Sequence, residues 1–357
     1  MTRHGFGWLS AILLGSCGTP APPSECPGTP AAANRARPDY SPFQRIPRGR
    51  LGSIPCPGPL TAFTTADPAR LGTHSYTGTT GETRRGIIYT RHGGFIDIAH
   101  TRKAADWTGF HQVRIQHALE ENRDCIILPS KEGSIYQVNF NCPGWWYKQP
   151  EPRRREMIRE LSIRLAQRLA ITQTEWHEIV SWFGYSASPY TEKPSAFTYD
   201  DMTSHVLGAV VAGRALREGG NFDAAVTRHL ARELDRLKAV SPDETMKALA
   251  MVEGDWWRNG FVIRRQIDTG QGDNSIRPWI VPGYPDGSTA AAHEFELPSL
   301  ANIAGRDLRR FARVEIEPNM RLWSKMRRGL PGNPDRCRPA EHFPILLDHI
   351  RLHERGR

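Results

Sequence analysis

A series of amphipathic helix patterns through the middle of the chain constrains its fold more than any other feature. In the segment PEPRRREMIRELSIRLAQRLAIT, large apolar residues recur every four positions, which places them on one face of a helix. A later segment, NFDAAVTRHLARELDRLKAV, shows a similar spacing. Such faces have to be buried against other elements, so the pattern predicts a bundle of helices. The two apolar faces consist of Met157, Leu161, Leu165 and Leu169, and of Phe222, Val226, Leu230, Leu234 and Leu237.

Capping signals divide this region into successive predicted helices. Pro152 suits the first turn of the first helix. The segment Thr172–Glu175 fits a capping box that would start a separate second helix, which closes near Gly184. A third helix is predicted in FTYDDMTSHVLGAVVAGRALREGG, ahead of the fourth in NFDAAVTRHLARELDRLKAV. A fifth helix begins with a capping box formed by Ser241 and Glu244.

Shorter β patterns flank the helices on both sides. GIIYTRHGGF, CIILP and SIYQVNF precede them, with a further helix predicted over 98–121. WRNGFVIRRQIDT and RVEIEP follow them and also indicate strands. We therefore predict an α+β fold that is mainly α, with a central helical bundle and small β elements before and after it. Residues 51–357 are predicted to form a single globular domain.

The N-terminus predicts an exported protein. Residues 1–16 contain one arginine and a short apolar run that cannot span a bilayer, as in a signal peptide. The sequence Leu-Gly-Ser-Cys that ends at Cys17 resembles a bacterial lipobox, which predicts that Cys17 carries a lipid anchor to the membrane. The alternatives are an ordinary signal peptide and an N-terminal core helix. Gly18 and Thr19 follow the cysteine in place of aspartate, which favours the periplasmic face of the outer membrane.

Residues 17–50 are rich in proline and alanine and have few large apolar side chains, so we predict a tether. The whole chain has 47 Lys and Arg against 38 Asp and Glu, a formal net charge of +9. A basic exported protein could favour anionic lipid head groups or anionic wall polymers. Its predicted compartment also allows an envelope protein as a partner and argues against nucleic acid. Cysteines in an oxidising compartment predict one or two disulfides, and the absence of a CxxC pattern argues against a thiolate zinc site.

Asp97 and His100 form the first candidate site, in GGFIDIAHTRKAADWTGFH. A carboxylate and an imidazole lie three residues apart beside a Gly-Gly turn. His111 falls on the same helix face as His100, and Asp106 lies near the opposite side. The alternative for His100 is a hydrogen-bonded histidine of the core.

His177 and Glu178 form the second candidate site, in TEWHEIVSWFGYS. They are the first half of HExxH, in which two histidines bind zinc and the glutamate activates water. Position 181 is serine, so the motif is incomplete, and further ligands would have to come from elsewhere in the fold. Glu175 shares a face with Glu178 and could offer a carboxylate to a metal, or it could cap the predicted second helix.

Asp201 and His205 form the third candidate site, in SAFTYDDMTSHVLG. They lie one helical turn apart and share a face, an arrangement suited to metal binding or to an Asp–His hydrogen bond. The alternative is a structural capping box over Thr198–Asp201. The adjacent tryptophans Trp145–Trp146 and Trp256–Trp257 could stack on sugars, with ordinary packing as the alternative.

The lipobox and the segments GGFIDIAHTRKAADWT, EWHEIVSWFGYS and SAFTYDDMTSHVLG resemble an uncharacterised family of exported bacterial proteins, many with lipoprotein signals. The resemblance covers roughly residues 60 to 330. The family is a domain of unknown function, so the resemblance implies an exported address and a shared site. It implies no reaction and no catalytic residues.

The leading functional hypothesis is an envelope-anchored, metal-dependent hydrolase that cleaves a cell-envelope amide or ester. Zinc is the expected metal, because it lowers the pKa of a bound water. The alternative is a non-catalytic lipoprotein that binds a wall polymer or partner protein, with the same groups in a buried hydrogen-bonded network. In the first hypothesis the metal ligands are His100, His177, His205 and Glu175, Glu178 is the general base or a fourth ligand, and Asp97 and Asp201 orient the imidazoles.

Overall fold

A computed structural model provides the structure of the chain. The predicted signal peptide, the predicted lipidation site Cys17 and most of the predicted tether lie outside the residues that it describes. The described residues are 42–53, 63–78, 81–130, 132–186, 192–259, 261–270, 274–318 and 320–355.

Helices and short strands alternate along the described chain. The helices are α1 (Ile98–Glu120), α2 (Glu151–Phe183), α3 (Asp201–Glu218), α4 (Phe222–Arg236), α5 (Pro242–Met251), α6 (Trp323–Met326) and α7 (Pro339–Arg355). The strands are β1 (Ile87–Thr90), β2 (Gly94–Asp97), β3 (Cys125–Pro129), β4 (Ile135–Phe140), β5 (Trp257–Arg258), β6 (Phe261–Val262), β7 (Ser275–Ile276), β8 (Phe295–Glu296) and β9 (Ala312–Glu317).

Helices α1, α2 and α3 pack against one another and form the centre of the molecule, and α4 packs on α3. The predicted apolar face of α2 is buried. The second predicted face, which lies on α4 and includes Leu237 just after it, is buried as well. Helix α1 lies between two hydrophobic cores, one shared with α2 and the β3–β4–β9 sheet and the other with α3 and α4. The prediction of a mainly α, α+β fold with a central helical bundle is therefore confirmed.

Helix α2 is longer than the sequence predicted. It runs without interruption for 33 residues, so the separate helix start predicted at Thr172 is wrong. The hydroxyl of Thr174 donates to the carbonyl of Ile171 inside the helix, and no glycine or proline breaks this part of the chain. The helix ends as predicted at Gly184, whose φ of 111° is a conformation that glycine adopts readily.

The strands form small antiparallel sheets around the bundle. β1 and β2 form a hairpin, and β3, β4 and β9 form a sheet in the order β3–β4–β9. The strand predicted in WRNGFVIRRQIDT is instead the short β5–β6 hairpin, because the chain reverses between Arg258 and Phe261. The capping box of Ser241 and Glu244 opens α5 as predicted.

The end of the predicted tether packs against the folded body. Phe43 and Arg50 are buried, and Arg50 donates from Nε to Oδ2 of Asp106 in α1 at 2.7 Å. Arg50 also pairs with Glu82, and Nε2 of His74 lies 3.0 Å from Oδ1 of Asp106. This buried charge network fixes residues 42–53 against the start of the bundle.

Three helix segments converge beside β2. Helix α1 begins directly after β2 at Ile98, and α3 begins at Asp201 and contacts both α1 and β2. Helix α2 brings Glu178 to the same region, near the C-terminal end of the helix.

In the described part of the chain, no helix combines the length and apolarity needed to cross a bilayer. Cys125 is disulfide-bonded, whereas Cys142 and Cys337 carry free thiols.

Candidate metal centre

Asp97 joins β2 to α1 and caps the helix. Its Oδ1 accepts hydrogen bonds from the backbone N–H groups of Ala99 at 2.6 Å and His100 at 3.1 Å. Its Oδ2 accepts the backbone N–H of Ser53 at 2.5 Å, and its own N–H donates to Oγ of Ser204 in α3 at 2.8 Å. A fully buried carboxylate therefore ties the start of α1 to α3 and to the N-terminal segment.

His100 lies in the first turn of α1 and faces the start of α3. Its Nδ1 is 3.0 Å from Oδ1 of Asp201 and 3.8 Å from Oδ2 of Asp200. Burial alone would lower the pKa of His100, but the charges of Asp97, Asp201 and Asp200 outweigh it and raise the pKa to about 10. The imidazole side chain is 17% exposed, which makes it the most accessible member of the cluster around it.

Gly52 covers one edge of the His100 ring. A Cβ on Gly52 would lie 2.6 Å from Nε2 of His100, which is closer than real contacts allow. The absence of a side chain at this position therefore lets the backbone of the N-terminal segment approach the imidazole.

Asp200 and Asp201 are held by Thr198 at the start of α3. The Thr198 hydroxyl donates to Oδ1 of Asp200 at 2.8 Å, and its backbone N–H donates to Oδ2 of Asp201 at 2.7 Å. Only half of the predicted capping box is therefore present, because the hydroxyl bonds Asp200 instead of the helix backbone. Burial and the charges of Asp201 and Asp97 raise the pKa of Asp200 well above its usual value.

Asp97, His100 and Asp200 form a group that could hold a metal ion. Each offers one ligand atom, and these atoms all lie within 4.8 Å of one another. Oδ2 of Asp200 is buried and has no hydrogen-bond partner within the described residues. It is therefore the oxygen of this group that gains most from a cation.

His205 lies next to this group, one turn further along α3. Its ring centroid is 4.8 Å from that of His100, and the residue is fully buried. Neither ring nitrogen has a hydrogen-bond partner in the described part of the chain. Burial, followed by the charges of His100, Lys103 and His177, lowers the pKa of His205 well below its usual value, so the ring is neutral.

Glu178 approaches the cluster from α2. Its Oε2 accepts the backbone N–H of Phe197 at 3.0 Å. Burial and the charge of Asp201 raise the pKa of Glu178 well above its usual value, and the charge of His100 opposes this rise. This rise favours the protonated form of the carboxyl group, which can donate a proton.

His177 is adjacent in sequence but points to a different pair of carboxylates. Its Nδ1 lies 3.5 Å from Oε1 of Glu132, and its Nε2 lies 3.7 Å from Oε2 of Glu192. Burial would raise the pKa of Glu132, but the interaction with His177 outweighs it and lowers the pKa to about 2. The structure thus does not bring His177 into the group of Asp97, His100 and Asp200.

Glu175, a predicted metal ligand, is not in the group of Asp97, His100 and Asp200. It is fully buried near the β3–β4–β9 sheet, where burial raises the pKa values of Tyr136 and Cys337 and the charge of Glu175 adds to the rise. Of the residues singled out from the sequence, the structure brings together Asp97, His100, Glu178, Asp201 and His205.

Sequence reasoning missed Asp200 and the covering segment at Gly52 and Ser53. Asp200 is the first residue of an Asp-Asp pair at a helix start, and that doublet was the available signal. The four-residue spacing from His205 points to Asp201, and Asp200 does not share this spacing. Nothing in the local sequence of Gly52 and Ser53 indicates their contact with α1.

A family model described as a protein of unknown function (DUF4056) matches residues 58–266. The matched range contains Asp97, His100, Glu178, Asp200 and His205. No curated protein and no solved structure matches the chain.

Proposed function

The chain belongs to the DUF4056 family of unknown function, and we propose from its geometry that it is a metal-dependent hydrolase built on Asp97, His100 and Asp200. The observation that carries the proposal is the convergence of three ligand atoms within 4.8 Å in a buried site. Metal ligands have to converge in this way, whereas buried like charges without a cation repel one another.

The chemistry of the donor set fits a divalent cation. The carboxylates of Asp97, Asp200 and Asp201 lie together, and protonated His100 is in ion-pair contact with two of them. A metal ion would take the place of this proton, because only the neutral imidazole can be a ligand. A divalent ion would neutralise the charge of the carboxylates and would provide the missing partner for Oδ2 of Asp200. We propose zinc, because three protein ligands of the carboxylate and imidazole type leave a fourth position for water.

The neighbouring side chains would supply the proton transfers. When bound, zinc lowers the pKa of a water molecule and polarises a substrate carbonyl. His205 is neutral and has two unpartnered nitrogens within the described residues, so it would accept a proton as the general base. Glu178, whose raised pKa favours the protonated form, would donate its proton to the leaving group and would regain one from His205 to complete the cycle, while Asp201 orients His100 at 3.0 Å.

The cell envelope is the proposed location. The lipobox at Cys17 would anchor the protein in the outer membrane, and the net charge of +9 suits an anionic surface. The disulfide at Cys125 supports an oxidising compartment. The proposed substrate is therefore an amide or ester of the cell envelope.

Elemental mass spectrometry of the untagged protein tests the metal site. We expect about one zinc ion per chain in the wild type and in His177→Ala. We expect loss of zinc in His100→Ala and in Asp200→Ala. His177→Ala is the matched control, because His177 is a partly exposed histidine outside the group. Zinc-free wild-type protein after reconstitution, or equal zinc in all four proteins, would contradict the proposal.

A non-catalytic envelope protein is the second candidate, and the burial of the site favours it. Asp97, Asp200 and His205 are fully buried, which suits a structural metal or a sealed hydrogen-bonded network. Hydrolysis of amide and ester substrates by the zinc-loaded protein distinguishes the two. A hydrolase should lose at least about 100-fold in rate in Glu178→Gln, with its zinc retained. A structural site would show zinc without turnover.

A further inference from the structure

A cleft of about 490 Å³ lies outside the metal centre, between the chain that follows α5 and residues 277–292. Its volume is in the range of sites that hold small ligands. Its lining contains both apolar and polar residues. The apolar group, called here the apolar side, includes Trp256, Pro278, Trp279 and Pro282, and the polar group, called the polar side, includes Gln266 and Arg277.

Two indole rings form the apolar side. Trp256 is 5% exposed and packs against Tyr199 at a centroid distance of 5.2 Å and against Phe95 at 6.2 Å. The ring of Trp279 lies 5.1 Å from that of Trp256 and is half-buried. The aromatic cluster behind Trp256 therefore fixes one ring, and the second ring remains partly open to the cleft.

Gln266 and Arg277 leave hydrogen-bonding groups available on the polar side. Gln266 is 5% exposed, and its Nε2 donates to the carbonyl of Arg277 at 2.8 Å. Within the described residues its Oε1 has no hydrogen-bond partner, and the exposed guanidinium of Arg277 has no ion pair. Two residues that line the cleft together with the indole rings thus carry an acceptor and a donor without a partner in the described part of the chain.

The charges that line the cleft balance one another. Arg264 pairs with Asp255 at 2.7 Å, and Arg277 is matched by Asp268, which also lines the cleft. The lining therefore has no net charge, so it does not select a cation or an anion. A ligand suited to this site is neutral, with an apolar face for the indoles and polar groups for the amide, guanidinium and carboxylate.

We propose that this cleft binds a neutral oligosaccharide. The C–H groups on one face of a pyranose ring are attracted to the negative face of an indole. Its hydroxyl groups both donate and accept, which matches Gln266, Arg277 and Asp268. The cleft is open to solvent, so it suits a segment of a polymer better than an enclosed metabolite.

The cleft and the metal centre share no residue. The wall of the cleft packs on the chain before α3, because the backbone N–H of Gln266 donates to the carbonyl of Phe197 at 3.0 Å and the ring of Tyr199 packs on Trp256. Because none of the proposed sugar contacts is a metal ligand, sugar binding should be retained by protein that a chelator has freed of metal.

Tryptophan fluorescence of the full-length protein tests the proposal with chitotetraose, cellotetraose and maltotetraose as probes. We expect at least one of them to produce a saturable change in emission. Trp279→Ala should weaken binding about ten-fold, as expected for the loss of a stacking ring. Arg277→Ala, at an exposed position that should not affect folding, should also weaken it.

Trp145→Ala is the matched control, because Trp145 is a partly exposed tryptophan packed on a different core. Its affinity for the sugar should equal that of the wild type. The proposal is overturned if none of the three sugars binds the wild type. It is also overturned if Arg277→Ala and Trp279→Ala both bind as tightly as the wild type.

Discussion

Nδ1 of His100 lies 3.0 Å from Oδ1 of Asp201, although the two residues start two different helices. The contact joins α1 to α3 at the point where Asp97 and Asp200 also meet. It gives the imidazole a fixed orientation, as carboxylates next to histidine ligands commonly do.

Asp201→Asn should lower the pKa of His100 in protein freed of metal by a chelator. The pKa is raised to about 10 in part by the charge and hydrogen bond of Asp201. Removal of one adjacent charge typically changes a pKa by about one to three units. NMR titration of ¹³C-labelled histidine rings measures this change. Asp255→Asn, at an exposed aspartate in the sugar cleft, should leave the His100 titration as it is.

Gly52→Ala should weaken zinc binding without unfolding the protein. The new Cβ would lie 2.6 Å from Nε2 of His100, so the imidazole has to move away from its position beside Asp201. Displacement of a ligand by its surroundings costs about 10- to 100-fold in metal affinity. A competition titration with a zinc chelator measures the affinity, and circular dichroism checks the fold.

The matched control for this change is Gly144→Ala, where a Cβ would meet nothing within 4 Å. Equal zinc affinities for the two alanine variants would show that the close approach of Gly52 does not position His100.

His111 should make the stability of the protein depend on pH. Burial lowers its pKa from 6.5 to about 3, and its Nε2 lies 2.9 Å from Oε1 of Gln173. Between these pH values the unfolded chain binds a proton at His111 that the native state does not bind. The stability that His111 provides is therefore complete above pH 6.5 and falls as the pH decreases towards 3, by about 1.4 kcal/mol per pH unit.

Denaturant unfolding between pH 7 and pH 4, where the native state persists, measures this effect. The difference in unfolding free energy between the wild type and His111→Gln should shrink as the pH falls, because glutamine does not titrate. Parallel curves for the two proteins would contradict the assignment of a neutral, buried His111.

Asp106→Asn should destabilise the protein strongly. Asp106 is fully buried and pairs with Arg50 at 2.7 Å, and it contacts His74 at 3.0 Å. Neutralising Asp106 breaks this buried ion pair and leaves Glu82 as the remaining carboxylate partner of Arg50, so we expect a cost near the lower end of the range of about 3–5 kcal/mol for a broken buried pair. Urea unfolding measures the change. Asp307→Asn removes an aspartate from the exposed pair with Arg309 and should have little effect.

Local signals made much of the fold predictable. The four-residue apolar spacing placed α2 and α4, and the Ser241–Glu244 capping box placed the start of α5. The separate helix start predicted at Thr172 was wrong, because a Thr-x-x-Glu pattern forms a cap only where the chain before it is not helical. A capping signal therefore has to be read together with the chain around it. Here the buried face of α2 continues through the Thr172–Glu175 segment, so the helix continues as well.

The site was predictable only in part, because it combines residues from distant segments. The spacing within each segment singled out Asp97, His100 and Asp201. Spacing cannot show which face of α2 packs against α1 and α3. Because of the way α2 packs, Glu178 approaches the cluster and His177 lies beside Glu132. The contact of Gly52 with His100 depends on tertiary packing, which no local pattern encodes.

The parts of the candidate metal centre come from distant positions along the chain. Asp97 comes just before α1 and His100 lies in it, whereas Asp200 comes just before α3. Gly52, which covers His100, belongs to residues 42–53. An unfolded chain has no such site, so a metal ion held there would be captured only as the chain folds. A chain that is threaded across a membrane before folding would therefore arrive empty. The metal ions available in the compartment where the chain folds, and where α1 first packs against α3, would then decide which ion it binds.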